Sequence, residues 1–464
     1  MKFRKLVATT LCFGIIASCV AGCNEKKNLT EEKITISVGN WPNEEANPKL
    51  YEERMATLER FKAAYPNIEI IPDEWSYDTK TFIAKAEGGT LPTLYTAHFT
   101  EANKIMQLGY AADLSDIMRE KQYDKKINEY ILDSISYDGR MYLIPISIYS
   151  LGIALNLDLF EQAGLIDEDG TIKIPETFDE LAQTAKVIKE KTGKAGFVLP
   201  TTEHAGGWIF TCLAWNFGAK FMEQDKDGKW KATFNSPECA AALQYIKDLK
   251  WKYDVLPSST LINNSDVRKF VGTTQAAMAI AAPSITEFLV NNYGLDRNLI
   301  GFAKIPSQGN NRISLMGGSY YAITPDATPE EIDACIKWIE FADGLTPVLS
   351  DVAKDALRIK YETMQANNNL VGLKDISLWN EKAEVETYKN ELIEEYRNVD
   401  EKHLASYNDQ SGVEYQVEEP ICAQELYSIL DSCIQEVLTN VNVDCAELLE
   451  KAAADFQQNF LDYE

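Results

Sequence analysis

Few residues in this 464-residue chain are arranged for bond-making chemistry. The three histidines, His98, His204 and His403, are widely spaced, and Cys212, Cys239, Cys335, Cys422, Cys433 and Cys445 form no C-x-x-C pair. There is no G-x-S-x-G elbow, no H-E-x-x-H helix and no phosphate-binding P-loop. Asp167, Asp169, Gly170 and Glu176 fall at EF-hand positions, but Leu165 occupies the first ligand position. Asp225, Asp227 and Gly228 meet Phe234 where the closing glutamate belongs, so both segments read as ordinary acidic turns. No catalytic residue, metal site or cofactor is expected. What the chain does offer is rings and polar groups just beyond runs that read as strands. Trp41 and Glu44 follow the first such run, Trp75 and Tyr77 the second, and His98, Phe99 and Thr100 the third. Such groups hold rather than transform: rings cover apolar faces, while carboxylates and amides exchange hydrogen bonds.

Cys23 is the exception, because its setting implies covalent modification. Lys2, Arg4 and Lys5 precede an apolar stretch from Leu6 to Val20, and Val20, Ala21 and Gly22 lead directly into the cysteine. This order is that of a secretory signal, residues 1–22, and is too short and wrongly flanked for a mature membrane span. The last four residues resemble the bacterial lipobox, in which a diacylglycerol is joined to the cysteine thiol and cleavage occurs just before it. Residues 23–33 are polar and charged and suit a flexible tether. The expected location is the outer face of a cell membrane, held by the lipid.

Cleavage would leave roughly 440 residues, enough for two domains with substantial cores. No later segment offers the roughly 18 unbroken apolar residues of a membrane span. The formal charge of −26 repels nucleic acid and anionic lipid and argues against a bulk polyanionic ligand. Disulfides among the later cysteines and buried free thiols are both compatible with the spacing.

The elements that must position the rings alternate strand and helix. Lys33 to Val38 reads as a strand, Tyr51, Met55, Leu58, Phe61 and Tyr65 share a helical face, and Ile68 to Ile71 is a second strand. Thr177 with Glu180 forms a capping box, Ser236-Pro237 opens another helix, and Thr328, Pro329 and Glu331 open a third. This is an α/β pattern with mainly parallel sheets flanked by helices. The apolar stretches Tyr142 to Leu155 and Ala276 to Ser284 read as crossings between domains. The charged segment 375–419 reads as helical and peripheral.

The order of motifs resembles the family-1 extracellular solute-binding proteins of ABC importers. Asp138, Gly139, Tyr142, Pro145, Asn156, Phe160, Ala163 and Gly164 match the family's D-G-K-x-Y-x-x-P turn, strand and Y-N-K-x-x-F-x-x-A-G segment, with Arg140 for the usual lysine and Leu155 for the usual tyrosine. Phe61 to Ile70, Thr90 to Tyr95, Pro175 to Leu181, Ala277 to Ala282, Gly301 to Pro306 with Gly317-Gly318, and Val437 to Leu461 follow in family order. Each motif is weak alone; their shared order covers nearly the whole mature chain.

The resemblance implies a two-lobed periplasmic-binding-protein-like fold whose interlobe cleft holds a ligand that is often a mono- or oligosaccharide. Lobe 1 is expected at 34–146 plus 283–345 and lobe 2 at 147–282 plus 346–464. The expected ligand-binding residues are Trp41, Glu44, His98, Tyr149, Trp208, Trp215, Ser284 and Tyr320. Gly317 and Gly318 could let backbone approach the ligand, whereas Trp230, Trp251, Trp338 and Trp379 read as structural. The expected function is capture of a neutral sugar or oligosaccharide by a monomeric lipoprotein, without enzymatic activity, and delivery to an ABC permease. A lipid-anchored carbohydrate-active hydrolase, or a surface adhesin or sensor with the same body, are the alternatives; turnover of an oligosaccharide would favour the former.

Overall fold

A computed structural model describes residues 33–463 apart from Thr79, Lys80, Asp375 and Glu381. Cys23, the signal segment and most of the tether therefore lie outside the described residues. Two sheets carry the fold. The first contains β1 (Ile34–Val38), β2 (Ile68–Pro72), β3 (Leu94–His98) and β4 (Leu143–Ser150). The second contains β5 (Gly152–Asn156), β6 (Met278–Ala281) and β7 (Ile300–Lys304). A long strand, β8 (Ile313–Ile323), completes the first sheet, and the short β9 (Glu414–Gln416) pairs with its beginning.

The first lobe starts as a parallel unit. Ile36 and Val38 alternate inward along β1, and helix α1 (Pro48–Ala64) returns Leu58 and Phe61 onto the same core before β2 pairs alongside. β3 joins β1 in parallel, whereas β8 runs antiparallel to both β3 and β4. The second sheet departs from the mainly parallel expectation, since β5 is antiparallel to both its neighbours. β6 and β7 therefore run the same way, joined across it by helix Ile285–Asn291. Strand–helix alternation reveals such a crossover but not the strand that slots between its ends.

Core membership redraws the lobes. Residues 283–315, expected in lobe 1, pack in lobe 2 through Ile285, Leu289, Phe302 and Leu315. Conversely, the stretch after 345 continues lobe 1 through Leu357, Tyr361, Trp379 and Leu392 before the chain returns to the second lobe at Leu404 and Tyr407. The reason lies in Ala276 to Ser284: its apolar run is a buried strand of the second sheet, not a crossing. The chain crosses instead at the β4–β5 junction, along β8, and between residues 393 and 404. Segment 375–419 is only partly peripheral. Trp379 packs edge-on to Tyr123 with ring centroids 5.3 Å apart, and the segment's end supplies β9 and the two glutamates that follow it.

The expected helix starts are present with one refinement. Thr328 and Glu331 make a reciprocal capping box. Thr177 accepts from the Glu180 N–H, but the Glu180 carboxylate accepts from Glu176 N, one residue earlier than a capping box requires. The six described cysteines are all unbridged. Both acidic turns use their carboxylates on their own backbone: Asp169 accepts from Thr171 N, and Asp225 from Asp227 N and Lys229 N. No helix among the described residues is long and apolar enough to cross a membrane.

The seam between lobes is polar and buried. The Tyr407 hydroxyl donates to Ser150 O at 3.0 Å, Ser314 Oγ donates to Leu151 O at 2.9 Å, and Leu151 N donates to Leu315 O. Helix α2 (Ala205–Asn216) presents Asn216, whose amide acts as a substitute strand partner. Its Nδ2 donates to Ile313 O at 2.7 Å and its Oδ1 accepts from Ile313 N at 2.8 Å. Asn216→Ala removes both bonds, leaving Ile313 O only the weak Cys212 thiol donor at 3.7 Å, and is expected to cost about 1–3 kcal/mol in urea denaturation. An unchanged midpoint would show that Ile313 finds other partners.

Candidate functional site

A cleft of about 370 Å³ lies between the lobes at the strand ends. Its first wall is built by Tyr77 and the end of β3. The Tyr77 hydroxyl donates to buried Glu101 at 2.6 Å, and its ring meets His98 edge-on at 5.8 Å. Burial holds the His98 imidazole below its usual pKa, against the opposing charge of Glu101, so it is neutral at pH 7. Phe99 lies flat on Tyr320, with centroids 4.3 Å apart and planes 13° from parallel.

The glycine pair in β8 makes this floor possible. A Cβ on Gly318 would stand 2.4 Å from both the Phe99 ring and Ser147 O, and one on Gly317 would stand 2.7 Å from the Tyr149 hydroxyl. The space a Cβ would take at these glycines is thus filled by the protein's own rings, while both glycines remain part of the cleft lining. Gly318→Ala must displace Phe99 or the β4 backbone, and the expected loss is about 1–3 kcal/mol on thermal or urea denaturation. A variant of unchanged stability would show that the ring turns away freely.

The second wall begins where Glu203 and His204 take left-handed conformations, with φ of 59° and 66°. That turn starts α2, whose end is capped from outside: the Asp431 carboxylate accepts from His204 N and Gly207 N, each at 2.7 Å. Asp431 belongs to the long helix Ala423–Thr439. A Cβ on Gly207 would lie 2.3 Å from Tyr427 O, so Gly206-Gly207 lets the two helices touch along their backbones. This contact sets Trp208 and Tyr427 side by side at the cleft. His204 Nδ1 lies 3.1 Å from Gln424 Oε1, and Asn263 Nδ2 donates to Glu203 Oε1 at 3.2 Å.

Glu418 enters from the chain beyond β9. Burial pushes its carboxyl up to about 7, despite the neighbouring Trp208 indole and Tyr427 hydroxyl, which favour its charge; Glu101 adds to the rise. Glu419, beside Trp215, is also pushed up to about 7 by burial. Burial, with the charge of Glu418, pushes the Tyr149 phenol up to about 12. A carboxyl whose folded pKa exceeds its unfolded value binds its proton more tightly when folded, so stability falls as pH rises between the two values. From the ordinary 4.5 to about 7, the protein should therefore lose stability, with Glu418→Gln and Glu419→Gln flattening the fall. Melting temperatures across that range check this; parallel profiles for wild type and both variants would contradict it.

Of the eight expected ligand-binding residues, His98, Tyr149 and Trp208 meet at this cleft. Trp41 does not: the turn at Asn40 and the bond from Trp41 N to Asp73 O fold its ring into the first core. There it stacks on Trp338 at 5.8 Å, with the Arg54 guanidinium over both rings. Glu44 lies exposed in the turn before α1, away from the cleft lining. Trp215 sits two turns beyond Trp208 and is buried in the second core. Ser284 is exposed at the start of helix Ile285–Asn291 in lobe 2. Tyr320 is fully buried as the backing of Phe99, its hydroxyl donating to Ser134 Oγ at 2.7 Å.

Sequence reasoning missed Asp78, Glu203, His204, Asn264, Glu418, Gln424 and Tyr427 as lining residues. Most of them follow no apolar run. The proximity of the Gly206-Gly207 pair to His204 was the available signal, since adjacent glycines opening an apolar helix mark a close backbone approach.

The fold therefore sets two lobes around one cleft lined by rings, carboxylates and amides. The family profile of bacterial extracellular solute-binding proteins matches residues 44–343, and the chain belongs to that family. The chain is 26% identical over 220 residues to the multiple sugar-binding protein of Streptococcus mutans, covering 45% of this chain and 46% of that one. Against a binding protein of Brucella abortus it is 24% identical over 221 residues, covering 47% and 51%. The chain thus spans about half the length of the curated relatives it matches. Among solved structures, the GacH receptor of Streptomyces glaucescens, solved unliganded and with acarbose, superposes with a TM-score of 0.68 at 17% identity, covering 94% of this chain and 100% of that one. A Thermotoga lettingae solute-binding protein bound to α-D-tagatose gives 0.65 at 19%, covering 92% and 99%. These likenesses extend the fold over the chain beyond residue 343.

Proposed function

We propose that this protein is the substrate-binding component of an ABC importer, capturing a mono- or oligosaccharide in the interlobe cleft and delivering it to a membrane permease. The observation that carries the reading is the juxtaposition of Phe99, Tyr149 and Trp208 with Glu203, Glu418 and Asn264 around one cavity. A sugar presents apolar C–H faces edged by hydroxyls, and this lining supplies rings for the former and hydrogen-bonding groups for the latter. The relatives support it: one is a multiple sugar-binding protein, and solved neighbours hold tagatose or acarbose. Closing the lobes on the ligand would give a shape that a permease reads.

The protein is proposed to act as a monomer, tethered to the outer face of the membrane by a lipid on Cys23. Tethering keeps it near its permease and raises effective concentration. Detergent phase partitioning of wild type and Cys23→Ser tests the anchor. The wild type is expected in the detergent phase and the variant in the aqueous phase; equal partitioning would remove the lipid from the account.

Tryptophan fluorescence and thermal shift against a saccharide panel test the function, with chromatography showing the bound sugar unchanged. Trp208→Ala is expected to weaken the best ligand by about 1 kcal/mol or more if its ring stacks on the sugar. Turnover of the sugar by the pure protein would overturn the receptor reading, and unchanged affinity in the variant would return Trp208 to a packing role.

A further inference from the structure

The charges lining the cleft all have one sign among the described residues: Asp78, Glu203 and Glu418 are carboxylates, and no lysine or arginine accompanies them. Resting on the carbohydrate reading, we infer that the cleft selects saccharides bearing a protonated amino group over neutral ones, and turns away uronates.

Glu418 is the centre of this selectivity. It stands among Tyr149, Trp208 and Tyr427 at the cavity wall, and the groups acting on its carboxyl are Trp208, Tyr427 and Glu101, with no basic side chain among them. Tyr427 is 1% exposed and lines the cavity, with its hydroxyl beside the Glu418 carboxyl. A neutral hydroxyl could donate to Glu418, but would leave its buried charge uncompensated. An ammonium group would compensate that charge through a charge-assisted hydrogen bond, and the ring faces around it would add cation–π attraction. Both effects are stronger in a partly desolvated cleft than at an open surface. A uronate would bring a second carboxylate beside Glu418 and Glu203, so that one of them must take up a proton or the ligand must leave.

The test is isothermal titration of the full protein, at neutral pH, where Glu418 is at least half ionised, and low ionic strength, with matched probes. These are glucosamine, glucose and glucuronate; galactosamine, galactose and galacturonate; and the chitosan dimer, cellobiose and cellobiouronate. In any set that binds, the amine is expected to bind at least about tenfold tighter than the neutral sugar, with the uronate weakest. Glu418→Gln should lower affinity for the amine by a larger factor than affinity for the neutral sugar. If that variant fails to fold, Glu203→Gln is read in the same comparison. Neutral sugars binding as tightly as their amines, or a variant weakening both equally, would overturn the charge selectivity and leave the carbohydrate reading standing. Failure of every saccharide, whatever its charge, would overturn both.

Discussion

One strand has to be satisfied in two cores at once. β8 begins against the second lobe at Ile313 to Leu315 and ends inside the first at Tyr320 to Ile323. A strand that runs from one lobe into the other while its neighbours change leaves backbone donors and acceptors at the transition, and buried backbone groups cannot stay unpaired cheaply. The Asn216 amide meets that demand on β8 at Ile313, and the Ser314 and Tyr407 hydroxyls meet it at the β4–β5 junction, on Leu151 O and Ser150 O. The arrangement of the remainder follows. α2 must lie close enough to hand its terminal asparagine to Ile313, which places its beginning, with Trp208, at the cleft.

The beginning of α2 is fixed in turn by a different helix. Asp431 closes its free N–H groups, and Gly206-Gly207 removes the side chains that would hold the two helices apart. Tyr427 and Trp208 are thereby brought to one wall, beside a glutamate supplied by the third crossing. Burial raises the pKa of that carboxyl to about 7, so near neutral pH the empty cleft holds it only partly ionised.

The legibility of this molecule in its sequence follows the range of the interactions concerned. β1, α1 and β2 could be read because periodicity and caps are local, and the two-lobed fold because its motifs keep a fixed order. Trp41 misled because a residue two positions beyond a glycine can turn either way, and only the Asn40 backbone and the distant Trp338 decide it. The lobe boundaries misled for a similar reason: an apolar run ending at a proline looks the same whether it crosses between domains or lies within one. Glu418 and Tyr427 were invisible because nothing local distinguishes them; their positions depend on where the chain re-enters the second lobe. His98 was legible from a strand end and Tyr149 from a crossing, whereas Trp208 was legible only through the family's motif order.

The glycines of β8 have a consequence for how such a receptor diversifies. Tyr149 rests on the bare backbone of Gly317, whereas Phe99 lies over Gly318 and also covers the buried ring of Tyr320. Replacing Tyr149 by a small residue would open a shallow trough over the strand while the sheet hydrogen bonds stayed in place. The Tyr149 side of the floor is therefore a removable lining on a fixed frame, and ligand size could drift through that one side chain without renegotiating the fold.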